Sequence, residues 1–264
     1  MGVFLAGLLL KIALTAGITV AASVVVERSG PFIGSLIASL PTAGGAAMII
    51  LAWEHPPEFI AQSAVGSMVA NSLVAVFALS YAALAQRRGL VLSLGGGFLV
   101  WFSAAALTRF VAWDATRAAL LIAVVFPLTI LAGSRFRSEG LVRRVHLTAR
   151  ELAWRTGVVT LCVIVVTAAS HSIGSFASGL FAFFPVAMAS FFVILHPRIG
   201  GPAAASVAAH VQAPLIGLGL SLLVVHLLAE TVGVWWSYAI GLSIGIGWNA
   251  ALWLGRRWWR AASA

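Results

Sequence analysis

Two prolines head the residues with chemistry to offer. Pro41 and Pro185 each sit near the middle of an apolar run. Each removes a backbone donor and frees the carbonyl about one turn earlier. Thr42, Gly44 and Gly45 follow Pro41 directly, and the two glycines loosen that helix further. Paired interruptions of this kind expose backbone able to hold a solute near the bilayer midplane. The competing reading is a kink whose freed carbonyl is satisfied by its neighbours.

Asn71 and Gln212 fall at nearly equivalent places in two later runs, with His210 close by. Amides there either recognise a polar solute or bond across helices as structural glue worth about 1 kcal/mol. Glu27 and His171 close two further runs. An ionisable side chain inside a bilayer is a functional candidate by default, so this pair is the candidate for proton coupling. An interfacial Glu27 beside Arg28 is the alternative. His226 and Glu230, one helical turn apart, join Glu54, His55 and Glu58 in a candidate external vestibule; solvated loop and helix-end residues would read the same way. No metalloprotease helix, phosphate loop, nucleophile elbow or dinucleotide fingerprint appears, so the expectation is a non-enzyme without cofactor or metal.

The elements that must position these residues follow from composition. Of 264 residues, 61% are apolar and 9% charged, which excludes a free-standing soluble domain. The net charge of +9 is carried by residues lying between apolar runs, not on a soluble face, so nucleic acid is not an expected partner. The lone Cys162 sits inside a run and allows neither an internal disulfide nor a cysteine cluster. A spanning helix takes about 20 apolar residues. Nine runs qualify: 8–28, 32–53, 60–85, 90–108, 115–133, 153–171, 176–195, 203–229 and 233–254. Nine crossings put thirteen of the sixteen Lys and Arg residues on one side and leave Lys11, Arg109 and Arg117 on the other. The basic side is expected to be cytoplasmic, with the N-terminus outside and the C-terminus inside. The basic stretch from Arg135 to Arg155 suits either an amphipathic surface helix or a topology-fixing loop.

A shift of 144 residues lays Gly30–Pro41 over Gly174–Pro185 with five of twelve positions identical. The same shift pairs Lys11 with Arg155 and Glu27 with His171. The expected fold is therefore an all-α polytopic transmembrane bundle of nine helices in a 4+1+4 inverted repeat. Its parts are a first unit at 1–110, a linking helix and basic loop at 111–152, and a second, inverted unit at 153–264. Such repeats offer two nearly equivalent arrangements of their halves, the device of alternating-access transporters. A duplication that simply fuses an antiparallel homodimer, with no transport, is the alternative. The unit Ser178-Gly179-Leu180-Phe181-Ala182-Phe183-Phe184-Pro185, the apolar run to His196 and the long helix after it resemble the GlpM family of small four-helix bacterial membrane proteins. The chain looks like a tandem, inverted fusion of two such units. That resemblance implies an inner-membrane protein associated with alginate or envelope polysaccharide production. The fifth helix and the Glu54-His55-Pro56-Pro57-Glu58 loop depart from the family pattern. Lipid and a small polar or anionic solute are the expected partners, and a homo-oligomer is compatible with the sequence.

Overall fold

The computed structural model describes residues 9, 11–21, 42–137 and 148–262. Every regular element among them is helical. In chain order these are α1 (Lys11–Ala21), α2 (Thr42–Glu54), α3 (Pro57–Ala85), α4 (Leu90–Leu107), α5 (Ala115–Ser134), α6 (Ala149–Ala182), α7 (Val186–Ile199), α8 (Gly201–His210), α9 (Gln212–Leu228) and α10 (Val234–Ala262).

Local chemistry sets their ends. Pro57 opens α3 at its first position, where a missing N–H costs nothing, and Glu58 complements the helix dipole in the first turn. Asp114 caps α5 by accepting from the Arg117 N–H at 2.8 Å. Thr148 and Glu151 form a reciprocal capping box at the start of α6.

Among the described residues five helical segments are long and apolar enough to cross a membrane: Pro57–Ala85, Leu90–Phe110, Ala115–Ser134, Ala149–Ile199 and Gly201–Leu228. The chain is thus all-helical with membrane-spanning character. Ala149–Ile199 covers 51 residues, far more than one crossing, because two expected spans run on through it. Its chain reverses at Gly174, whose φ of 79° and ψ of 171° lie outside helical space and suit only a residue without a Cβ. The reversal brings Arg198 back to Glu151 at 2.7 Å. The expected start at 153 is corrected to Ala149, since the capping box extends that helix, and the run expected at 203–229 is present as Gly201–Leu228, bent at Val211 between two helices. Pro214, three residues on, cannot donate to the His210 carbonyl.

α3 is the central post. In its most apolar window 72% of residues are buried, against 22% for the α4 segment and 17% for α5, which turn Val91, Leu92, Leu99, Leu120, Leu128 and Leu131 outward. An apolar exterior on peripheral helices is what lipid requires. Cys162 packs against the core, as expected of a residue inside an apolar run.

Candidate functional site

α3 carries small polar residues one turn apart, Ser63, Ser67 and Asn71, all buried, and they share one face. Along that face lies the second half of α6, pressed close by glycine. A Cβ on Gly66 would run into the Phe176 carbonyl, and one on Gly179 into the Ser63 carbonyl. Small residues let helices approach to backbone contact in lipid. Hydroxyls then complete the contact: Ser63 Oγ donates to the Ser175 carbonyl at 2.9 Å and Ser67 Oγ to the Gly179 carbonyl at 3.1 Å.

The Gly179 carbonyl needs that donor because the helix stops just beyond it. Residues 183–185 are not helical, and the Phe183 N–H turns toward the Phe181 carbonyl. Pro185 caps the next helix, with φ −73° and ψ 34°. The break expected at Pro185 is therefore present, and it interrupts the chain between α6 and α7. Aromatic rings of α4 close over it, Trp101 standing edge-on to Phe184 with centroids 5.0 Å apart and Phe98 stacking on Phe184 at 5.5 Å. From the other side comes α2: Gly44 lies under the Phe183 ring, where its Cβ would sit 2.6 Å from a ring carbon. The Gly44 segment of the first half and the Pro185 break of the second are thus neighbours. Pro41 and Glu27 lie outside the described residues, as do Gly30 and Gly34, and of Thr42 only its place at the head of α2 is described.

Asn71 and Gln212 both face inward and are 1% and 0% exposed. They bond reciprocally across the crossing of α3 with α9. Asn71 Nδ2 donates to the Leu215 carbonyl at 2.9 Å, and Gln212 Nε2 donates to the Ala75 carbonyl at 3.0 Å. Gly219 leaves the room that the Asn71 amide occupies. Asn71 Oδ1 and Gln212 Oε1 accept no bond. The donors thus act as interhelical glue, one of the two expected roles. His210 turns Nδ1 to the Ser206 carbonyl of its own helix at 2.7 Å.

The expected vestibule groups do not gather as a free acidic mouth. Glu54 is bound by Lys11 at 2.6 Å, and Lys11 also reaches Thr167. His55 Nε2 meets Ser170 Oγ at 2.7 Å, stacks on Phe59 at 3.7 Å and lies 4.4 Å from the His171 ring. Burial holds the His55 pKa below its usual value of 6.5, aided by His171 and Lys11 and opposed by Glu54. His226 pairs with the Ala61 carbonyl at 2.9 Å, while Glu58 and Glu230 are exposed. His171 is exposed beside His55 and not sunk in the core. The opposite end carries Glu151 with Arg198, and Tyr81 Oη with His196 Nδ1 at 2.9 Å.

Arg155 is the buried cation that sequence reasoning missed. Treated as a cation marking the membrane boundary, it is 4% exposed. Its guanidinium lies 5.2 Å from the centre of the Phe191 ring, and Nε and Nη1 have no hydrogen-bond partner. One turn along the helix, Val159 packs with Ala43 and Val186 beside the break. The distinguishing signal was the turn of sequence before it: capping at Thr148 starts the helix early enough to carry Arg155 inside. Among the described residues no group of His, Cys, Asp and Glu could hold a metal ion. Comparison with family models, curated proteins and solved structures finds no match for this chain.

Proposed function

We propose that the chain is a secondary transporter of a small polar or anionic solute, working by alternating access of two inversion-related halves in a bacterial cytoplasmic membrane. In this reading the nine expected crossings form a 4+1+4 repeat, with the N-terminus outside and the basic C-terminus inside. The observation that carries it is the break at Phe183–Pro185, set against Gly44 of the first half and enclosed by protein rather than lipid. Broken helices meeting at a repeat interface are the recurrent architecture of solute sites in transporters.

Three pairings support the two-fold relation. A shift of 141 residues relates Asn71 to Gln212. The amide bonds cross reciprocally between the halves. Each half also ties the start of its first helix to the end of its second by an ion pair, Lys11 with Glu54 and Glu151 with Arg198, with the charges reversed.

The second reading is a non-transporting scaffold, with the envelope polysaccharide association that the GlpM resemblance implies. It is favoured by the amides, whose donors are spent on backbone carbonyls. Reconstitution in proteoliposomes separates the two. A transporter accumulates or exchanges solutes from a panel of small carboxylates, phosphate, sugars and amino acids, and Pro185→Ala lowers that flux more than it lowers thermal stability. A properly folded Pro185→Ala variant with unchanged flux, or a wild-type protein that moves none of the panel, favours the scaffold.

A further inference from the structure

We infer that Arg155 is an anion-binding centre, and that the group it takes is a small oxoanion of the carboxylate or phosphate kind. The inference deepens the transport reading by naming the chemistry of the solute. It stands on Arg155 being both buried and unsatisfied. A guanidinium has five N–H donors and keeps its charge in proteins. At Arg155 the side chain is 4% exposed, Nε and Nη1 donate to nothing, and no carboxylate among the described residues is paired with it. Other cations of the bundle behave differently: Lys11 has Glu54 and Arg198 has Glu151.

An uncompensated charge in a membrane interior is expensive, and water at the interface lies within reach of most arginines by snorkelling. Arg155 instead lies against Phe191, whose ring face gives a cation partial compensation and leaves its N–H edges open. The same turns of α6 present two more unspent groups. Thr156 Oγ1 and Thr160 Oγ1 are buried without a partner, although a helical threonine can normally return its hydroxyl to the preceding turn. Thr15 Oγ1 on α1 is buried and unspent as well. Buried charge and aromatic backing therefore coincide at Arg155, with no anion supplied by the described protein. Charge-assisted hydrogen bonds from guanidinium to an oxoanion are the chemistry that completes this set. A neutral sugar would leave the charge uncompensated.

The test uses the full chain in phosphatidylcholine nanodiscs, where no lipid carries net charge, with acetate and inorganic phosphate as probes and glucose as control. At roughly 10 mM, a site with a Kd of ~1 mM is about nine-tenths filled, and Tm should rise by about 3 to 6 °C. Glucose should leave Tm unchanged. Arg155→Gln should abolish the response and raise Tm in anion-free buffer, because the unpaired charge is gone. Arg155→Lys should weaken binding about tenfold or more, since an ammonium lacks the planar fork. Should Arg155→Gln fail to fold, Phe191→Leu leaves the guanidinium in place and should weaken binding a few-fold. Wild-type protein that responds to neither anion, or Arg155→Gln that responds as wild type does, overturns the proposal. Binding that requires Arg155 without anion flux in proteoliposomes leaves the site standing and removes the transport reading. Flux insensitive to Arg155→Gln removes the site and leaves transport.

Discussion

Replacing Gly179 with alanine inserts one methyl group between two backbones. Its Cβ would fall 2.6 Å from the Ser63 carbonyl carbon and closer still to the oxygen, whereas ordinary contacts begin near 3.4 Å. The obstacle is main chain of α3 and cannot rotate aside, so the helices must part by about 1 Å, which forfeits a quarter to a half of the dispersion energy along the contact. Overpacking of this kind costs about 1–3 kcal/mol. Parting also stretches the Ser67 bond to Gly179 and the Ser63 bond to Ser175, 3.1 and 2.9 Å long, each worth about 0.6 kcal/mol in a membrane bundle. The expected total is about 2–4 kcal/mol, a fall in Tm of roughly 4–16 °C for a chain of this size. Thermal unfolding in detergent micelles, followed by tryptophan fluorescence, measures it. Gly157→Ala is the control: no atom lies within 4 Å of its Cβ, and helix propensity favours alanine by about 1 kcal/mol. Equal Tm for the two variants would refute the idea that backbone proximity at Gly179 sets the packing.

Two further outcomes follow from the polar ends. His55 has its pKa depressed in the folded chain, so below about pH 6.5 the unfolded state binds more protons than the folded one. Stability should be complete above that pH and decline as pH falls through the window down to the folded pKa; thermal unfolding from pH 7.5 to 5 should show a slope that His55→Asn reduces. Breaking the Glu151–Arg198 pair by Arg198→Met, which leaves the Thr148–Glu151 capping box in place, should cost about 1 kcal/mol. An Arg198→Met variant with unchanged Tm would show that the pair does not bind the two helix ends.

Much of the helical layout was legible because apolar run length and turn residues report the membrane directly. Pro185 was read correctly as a break, since a missing N–H acts locally and needs no partner to be known. Asn71 and Gln212 were legible as nearly equivalent positions in two runs, but their role depended on which carbonyls came within reach. That is a property of the α3 crossing, set by Gly219 and by the bend at Val211. Arg155 was only half legible: the capping turn at Thr148 was in the sequence, but what buries the side chain was not. Sequence gives its distance from the end of an apolar run, whereas its burial comes from the chain reversing at Gly174 and laying Phe191 against it. The acidic residues near position 54 looked like an open mouth because Lys11, distant in sequence, was not known to close on Glu54.

The contacts of α3 also limit how the protein can move. Near one end its backbone touches Gly179 at Ser63, and at the other it touches Gly201 at Ala85, with no side chain between the chains at either point. The two points lie about 33 Å apart along the post. Side-chain ridges can slip by one notch and re-engage, but a carbonyl seated on a glycine has no neighbouring notch to enter. Sliding of the Gly179 segment of α6 and of the start of α8 along α3 is therefore blocked. Any rearrangement of α6 or α8 against the post is a rotation about these seats and not a translation along it.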